Sequence, residues 1–178
     1  PFFISLWIAF LALGLPLPAV VGGPFIWHAH ELIFGFGLAA VAGFALTSIP
    51  EFTASGAVDQ PTVRLLTGLW LLGRLAFWTS GLLGNIALAV SGLAHLALLG
   101  LLAACLAPRL WRDPNRRHLS FLWSFGGLAL GVAGFYGAAL RGQPPGPWLH
   151  ATLGVLMMLI VVAMSRISMR IVNNAIDE

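Results

Sequence analysis

His28, His30 and Glu31 fall within four consecutive positions, in the run Phe25-Ile-Trp-His-Ala-His-Glu-Leu-Ile-Phe. Neutral imidazole is the commonest metal ligand among side chains. A ligating imidazole needs its other nitrogen oriented by a carboxylate or carbonyl. His28 and His30 are therefore candidate ligands for iron or copper, and Glu31 is the candidate that orients one of them. On a regular helix two residues at this spacing point about 200° apart. Either the pair lies in an irregular turn after Gly22-Gly23-Pro24, or the two rings serve different partners. The adjoining stretch from Leu32 to Pro50 is uncharged and apolar. Ionisable groups at the edge of such a segment are costly to keep in lipid, and they mark function by default.

The elements that must hold these residues are membrane helices. The chain has 178 residues, 59% hydrophobic and only 8% charged, against about 25% charged in soluble domains. The net charge is +3 and every fixed cation is arginine. The nine arginines are too few and too scattered for a nucleic-acid face. A single cysteine, Cys105, excludes an internal disulfide and a cysteine-only metal cage. The apolar runs recur along the chain, unlike a secretory signal. The chain opens on Pro1 with no initiator methionine, so it is expected to be part of something longer.

A crossing needs about 20 mostly apolar residues. Six stretches qualify: 2–21, 32–50, 63–81, 83–106, 119–140 and 148–171. Residues 75–108 carry no charge and are too long for one crossing; Ser80, Gly81, Gly84 and Asn85 divide them. The expected fold is all-α, a single polytopic transmembrane bundle of six helices. With a cytoplasmic N-terminus, seven arginines (64, 109, 112, 116, 117, 166 and 170) lie inside and only Arg141 outside, as the positive-inside rule requires. His28, His30, Glu31, Arg141 and His150 then lie toward the outer face. Arg74 lies between that face and the midplane, and His95 lies near the midplane. His118 alone falls on the inner side.

Arg74 and Arg141 are candidate partners for carboxylates, whether haem propionates, gripped by guanidinium forks, or, for Arg74, the side chain of Glu31. His95 and His150 are further candidate cofactor ligands, with helix–helix hydrogen bonding and an interfacial position as their plainer roles. Met157, Met158, Met164 and Met169 read as gap-filling core. Trp7, Trp27, Trp78, Trp111 and Trp148 read as interfacial anchors.

The run Trp27-His-Ala-His-Glu-Leu-Ile-Phe-Gly-Phe with Ala39-Ala-Val-Ala-Gly-Phe-Ala-Leu-Thr-Ser-Ile-Pro resembles the signature of the NnrS family. So do Pro1-Phe-Phe, Leu71-Leu-Gly-Arg-Leu-Ala and Asn115-Arg-Arg-His-Leu. Ser165-Arg-Ile-Ser-Met-Arg is similar to a mid-protein segment of the family, but Ser165 and Ser168-Met169 depart from the Gly-Gly-Arg and Ile-Pro found there. The resemblance implies a bacterial inner-membrane protein of about twelve helices. It also implies haem and copper as cofactors and a role in the response to nitric oxide and nitrosative stress. His28, His30, Glu31 and Arg74 match the family motifs. This chain would be roughly the N-terminal half, with the C-terminal half or a partner chain completing it. An apolar bundle suits nitric oxide or another small uncharged gas. Two further readings compete: a membrane transporter of haem, copper or a small ligand, and a structural or assembly subunit of a respiratory complex.

Overall fold

The computed structural model describes residues 2–15, 20–112 and 119–177. Among these, every regular element is helical. Helix α1 is Phe2–Ala12; α2 is Gly23–Phe52, with a π-helical stretch Glu31–Gly37 inside it; α3 is Gln60–Trp78; α4 is a single turn, Ser80–Leu83. Then come α5, Asn85–Arg112; α6, Ser120–Leu140; and α7, Gly146–Asp177. Helices α3, α5, α6 and α7 form a row of antiparallel neighbours, and α2 packs against all four.

Among the described residues, four helical stretches are long and apolar enough to cross a membrane: Gly23–Phe52, Asn85–Arg112, Ser120–Leu140 and Gly146–Met169. That corrects the expected six. The first expected crossing, 2–21, is helical only over Phe2–Ala12; a turn at Leu13 and Gly14 ends it, and 16–19 lie outside the described residues. Eleven residues rise about 16 Å, half of a bilayer core. The third expected crossing does form a helix, α3, of 19 residues. It carries Gln60, Arg64 and Arg74, which lower its hydropathy below that of a spanning segment. The expected second crossing also begins earlier, at Gly23. Gly22 and Gly23 take φ of 85° and 78°, a left-handed turn that Pro24 then converts into helix.

Sequence explains the close approaches. Gly127, Gly131 and Gly134 of α6 lie against Val155, Thr152 and Trp148 of α7; a Cβ would overlap Thr152 and Trp148 and crowd Val155. Small residues at this spacing let membrane helices meet backbone to side chain. Asp59 caps α3, its carboxylate accepting from the Thr62 backbone N–H at 3.2 Å and from the Thr62 hydroxyl at 2.8 Å. Those two bonds hold the Asp59 carboxyl below its ordinary range.

The two ends of the bundle can be told apart. At one end the Val21 N–H donates to Ser80 Oγ at 3.1 Å, and the first turn of α7 meets α2 at Ile26. This end holds the α2 start, the α3–α5 turn and the α6–α7 turn with Arg141. The α2–α3 loop and the C-terminus of α5 lie at the other end, where Arg109 acts electrostatically on Asp59. The methionines of α7 do not fill the core as the sequence suggested: Met157, Met158, Met164 and Met169 all point outward. Among the described residues, α7 packs against α6 and α2 on one side, and its methionines lie on the other.

Candidate functional site

The π-helical stretch begins at Glu31, one residue after His30. Such segments concentrate at functional sites because they widen the turn and re-aim side chains. Here Glu31, Ile33, Phe34 and Gly35 are all turned inward. The Gly35 carbonyl accepts from Trp70 Nε1 at 2.7 Å. Gly35 also leaves room for a cation: a Cβ there would lie 3.1 Å from Arg74 Nε.

Glu31 and Arg74 form a buried ion pair between α2 and α3. Arg74 donates to Glu31 Oε2 from Nε, at 2.9 Å, and from Nη2. Trp78 Nε1 donates to Glu31 Oε1 at 3.0 Å, and the guanidinium lies 4.6 Å from the centre of the Trp70 ring. Of the two sequence expectations for Arg74, this is the pair with Glu31. Trp78 and Trp27, expected as interfacial anchors, instead belong to the site, their rings 5.5 Å apart edge to face.

His30 and His28 part company. Both sit on the regular α-helical turns Gly23–His30, so no irregular turn brings them together. His30 is fully buried, whereas His28 is half-buried toward the rim. The His30 ring stacks on Phe77 at 3.7 Å between centroids, with Phe34 and Phe135 against its other sides at 5.3 and 5.5 Å. His30 Nδ1 lies 3.6 Å from Glu31 Oε1, too long for a hydrogen bond.

His30 meets His95 instead. Their ring centroids are 5.6 Å apart, and the Tyr136 hydroxyl joins them, 2.7 Å from His30 Nε2 and 3.2 Å from His95 Nδ1. Ser91 Oγ lies 2.6 Å from that hydroxyl and donates to the Gly73 carbonyl at 2.6 Å. These contacts fix the proton positions. A carbonyl can only accept, so Ser91 gives its proton to Gly73, and Tyr136 must then donate to Ser91. His30 Nε2, facing an oxygen whose proton is committed, is the donor to Tyr136. The chain of donors therefore runs His30, Tyr136, Ser91, Gly73, from α2 through α6 and α5 to α3. It ends on a helix carbonyl, so it fixes four helices and does not conduct protons onward.

The remaining predicted residues stay outside this core. His150 is exposed and, among the described residues, bonds to the Gly146 carbonyl of its own helix, at 3.0 Å. Arg141 is exposed at the end of α6, and Cys105 is half-buried far along α5. His118 lies outside the described residues. Sequence reading missed Tyr136, Ser91, Phe77 and Gly73. Two signals were present: Tyr136 is the single tyrosine of the chain, and Ser91 precedes His95 by four residues, one helical turn.

Fold and site together define a multi-helix membrane protein with an imidazole–tyrosine core beside a buried ion pair. The chain belongs to the NnrS family: the family model described as NnrS protein matches residues 1–178. No curated protein and no solved structure matches it.

Proposed function

We propose that this protein is a cofactor-bearing inner-membrane protein of the nitric oxide and nitrosative-stress response, with the N-terminus in the cytoplasm. The observation that carries the reading is the polar core itself: two fully buried imidazoles, His30 and His95, held by Tyr136 in a bundle otherwise lined by leucine and phenylalanine. Ionisable residues kept at such a place mark the working part of a membrane protein. Membership of the NnrS family supplies the nitric oxide context.

Copper and haem fit this chain differently. Imidazole nitrogen suits copper, and His30 Nδ1 and His95 Nε2 are buried ring nitrogens with no hydrogen-bond partner among the described residues, but no group of three or more ligating side chains stands there to complete a site. A porphyrin does not fit beside His30: Phe34, Phe77 and Phe135, all fully buried, cover the ring. Haem contacts, in this proposal, fall to the rim residues His28, His150 and Arg141 and to a C-terminal half or partner chain. Bound metal would supply one-electron chemistry and affinity for small gases. The protein's own residues exclude water, hold the imidazoles and neutralise Arg74 with Glu31. That pairing also disfavours a transporter, because each buried charge already has its counter-charge.

The test is metal and optical analysis of the protein purified in detergent or nanodiscs. Stoichiometric copper, with or without a Soret band, is expected. A preparation that holds neither copper nor haem, and takes up neither on reconstitution, contradicts the proposal.

A further inference from the structure

The donors of the polar core leave one place without a proton. His30 donates from Nε2 to Tyr136, so its Nδ1 is a lone pair. That nitrogen is buried, has no hydrogen-bond partner among the described residues, and lies 3.6 Å from Glu31 Oε1. Arg74 takes Glu31 Oε2 with two donors, so Oε1 faces the imidazole as a second acceptor. Two buried acceptors confront each other with no hydrogen between them, an unfavourable arrangement that an arriving proton would relieve. A proton stands beside the gap, on Trp78, whose Nε1 donates to the same Oε1 at 3.0 Å.

An indole N–H does not yield its proton in the ordinary state. Loss of one electron from the ring makes it acid enough to protonate a carboxylate, because the charge spreads over the π system that includes the nitrogen. Of three oxidisable rings around the core, Trp70, Trp78 and Tyr136, only Trp78 donates to a carboxylate. Trp70 donates to the Gly35 carbonyl at 2.7 Å and carries the Arg74 guanidinium 4.6 Å from its centre, a cation that opposes the loss of an electron. Tyr136 gives its proton to Ser91 and meets an N–H from each imidazole. His95 Nδ1 carries hydrogen because it also lies 2.9 Å from the Ser91 backbone carbonyl, which can only accept. Trp78 is half-buried at the end of the bundle where α2 starts, whereas Tyr136 is buried.

We propose that Trp78 is a one-electron redox site of this protein, with Glu31 and His30 Nδ1 receiving its proton. The oxidant is nitrogen dioxide, a nitrogen-oxide radical; that choice rests on the proposed role in nitrosative stress, and the site itself does not. The Trp78 indole gives one electron to nitrogen dioxide, which leaves as nitrite. The Nε1–H bond breaks and its proton passes to Glu31 Oε1, where the new O–H donates to the lone pair of His30 Nδ1. The products are a neutral indolyl radical, a protonated Glu31 and nitrite. The positive charge gained by the site then rests on Arg74 rather than on the ring.

The experiment exposes the full chain in nanodiscs to nitrogen dioxide, made by pulse radiolysis of nitrate, and in parallel to a photogenerated ruthenium(III) complex. The visible spectrum separates a neutral indolyl radical from its cation, and infrared difference bands of carbon-13-labelled glutamate report a protonated carboxyl. Parallel samples carry Trp78→Phe, Trp123→Phe and Glu51→Gln, with circular dichroism as the control for folding. The expected result is a neutral radical together with a protonated glutamate, formed more slowly in heavy water. Both signals should persist in Trp123→Phe and Glu51→Gln and be lost in Trp78→Phe. The glutamate band is read on the parent, so the test survives a Trp78→Phe chain that fails to fold. A radical cation without a protonated carboxyl, or an undiminished radical in a folded Trp78→Phe, overturns the inference. Signals with ruthenium(III) but none with nitrogen dioxide overturn the choice of oxidant. The radical pair of signals in a chain that holds neither copper nor haem upholds the inference while the cofactor reading falls.

Discussion

Along α5 the protein changes character. Ser91, Gly92 and His95 face serine, imidazole and tyrosine chemistry, whereas Leu98, Leu102, Leu106 and Leu110 of the same helix join the leucine–phenylalanine core with Phe121, Phe125 and Leu128. The two halves are equally buried, yet they are held differently. In lipid, apolar side chains gain little by leaving the bilayer, so the leucine half relies on van der Waals fit. The polar half relies on donors matched one by one to acceptors. Fit tolerates substitution by degrees; a matched network fails when one member is lost.

The largest expected contrast comes from charge. Arg74→Ala leaves Glu31 buried without its cation and should cost roughly 3–5 kcal/mol, read as a loss of thermal stability in detergent. Replacing both partners, Glu31→Leu with Arg74→Met, should recover most of it. An Arg74→Ala protein as stable as its parent would mean the pair does not hold α2 to α3. Leu102→Ala, in the other half, should cost about 2 kcal/mol.

A smaller contrast separates two glycines. Gly73→Ala drives a methyl against the face of the His95 ring and should cost about 1–3 kcal/mol. Gly100 has open space where a Cβ would stand, so Gly100→Ala should be neutral or stabilising by up to about 1 kcal/mol. Thermal melts of the two side by side decide it; equal effects would erase the distinction between the halves.

The smallest effect lies outside both halves. Asp59→Ala removes the α3 cap, and the melting temperature should fall slightly. Because the Asp59 carboxyl is held below its ordinary range by Thr62, its contribution is present above the unfolded carboxyl's pKa and is lost as pH falls through the lowered one. Parent and variant should therefore converge in stability as the solution is acidified. A difference that grows with acid would contradict the capping role.

The four spanning stretches were legible in the sequence because apolar runs bounded by arginine, glycine and proline leave little choice. Helix α3 was legible as a helix but not as a weakly apolar one, since Arg74 draws its worth from Glu31, a partner 43 positions away. His30, Glu31 and Arg74 stood out by type. Their true companions did not: Tyr136 lies 106 residues from His30 and on an apolar helix, and only the packing of α6 against α2 and α5 reveals it. For His28 and His30 the sequence left two arrangements open, and the regular helix that carries both selects the one in which they diverge. The α7 methionines misled because composition cannot say which side of a helix has neighbours.

The most direct measurement is nitrogen-15 solid-state NMR of histidine-labelled protein in lipid, with His95→Gln to assign the signals. The account predicts that His95 is neutral, protonated at Nδ1 and bare at Nε2. A protonated Nε2 would contradict it.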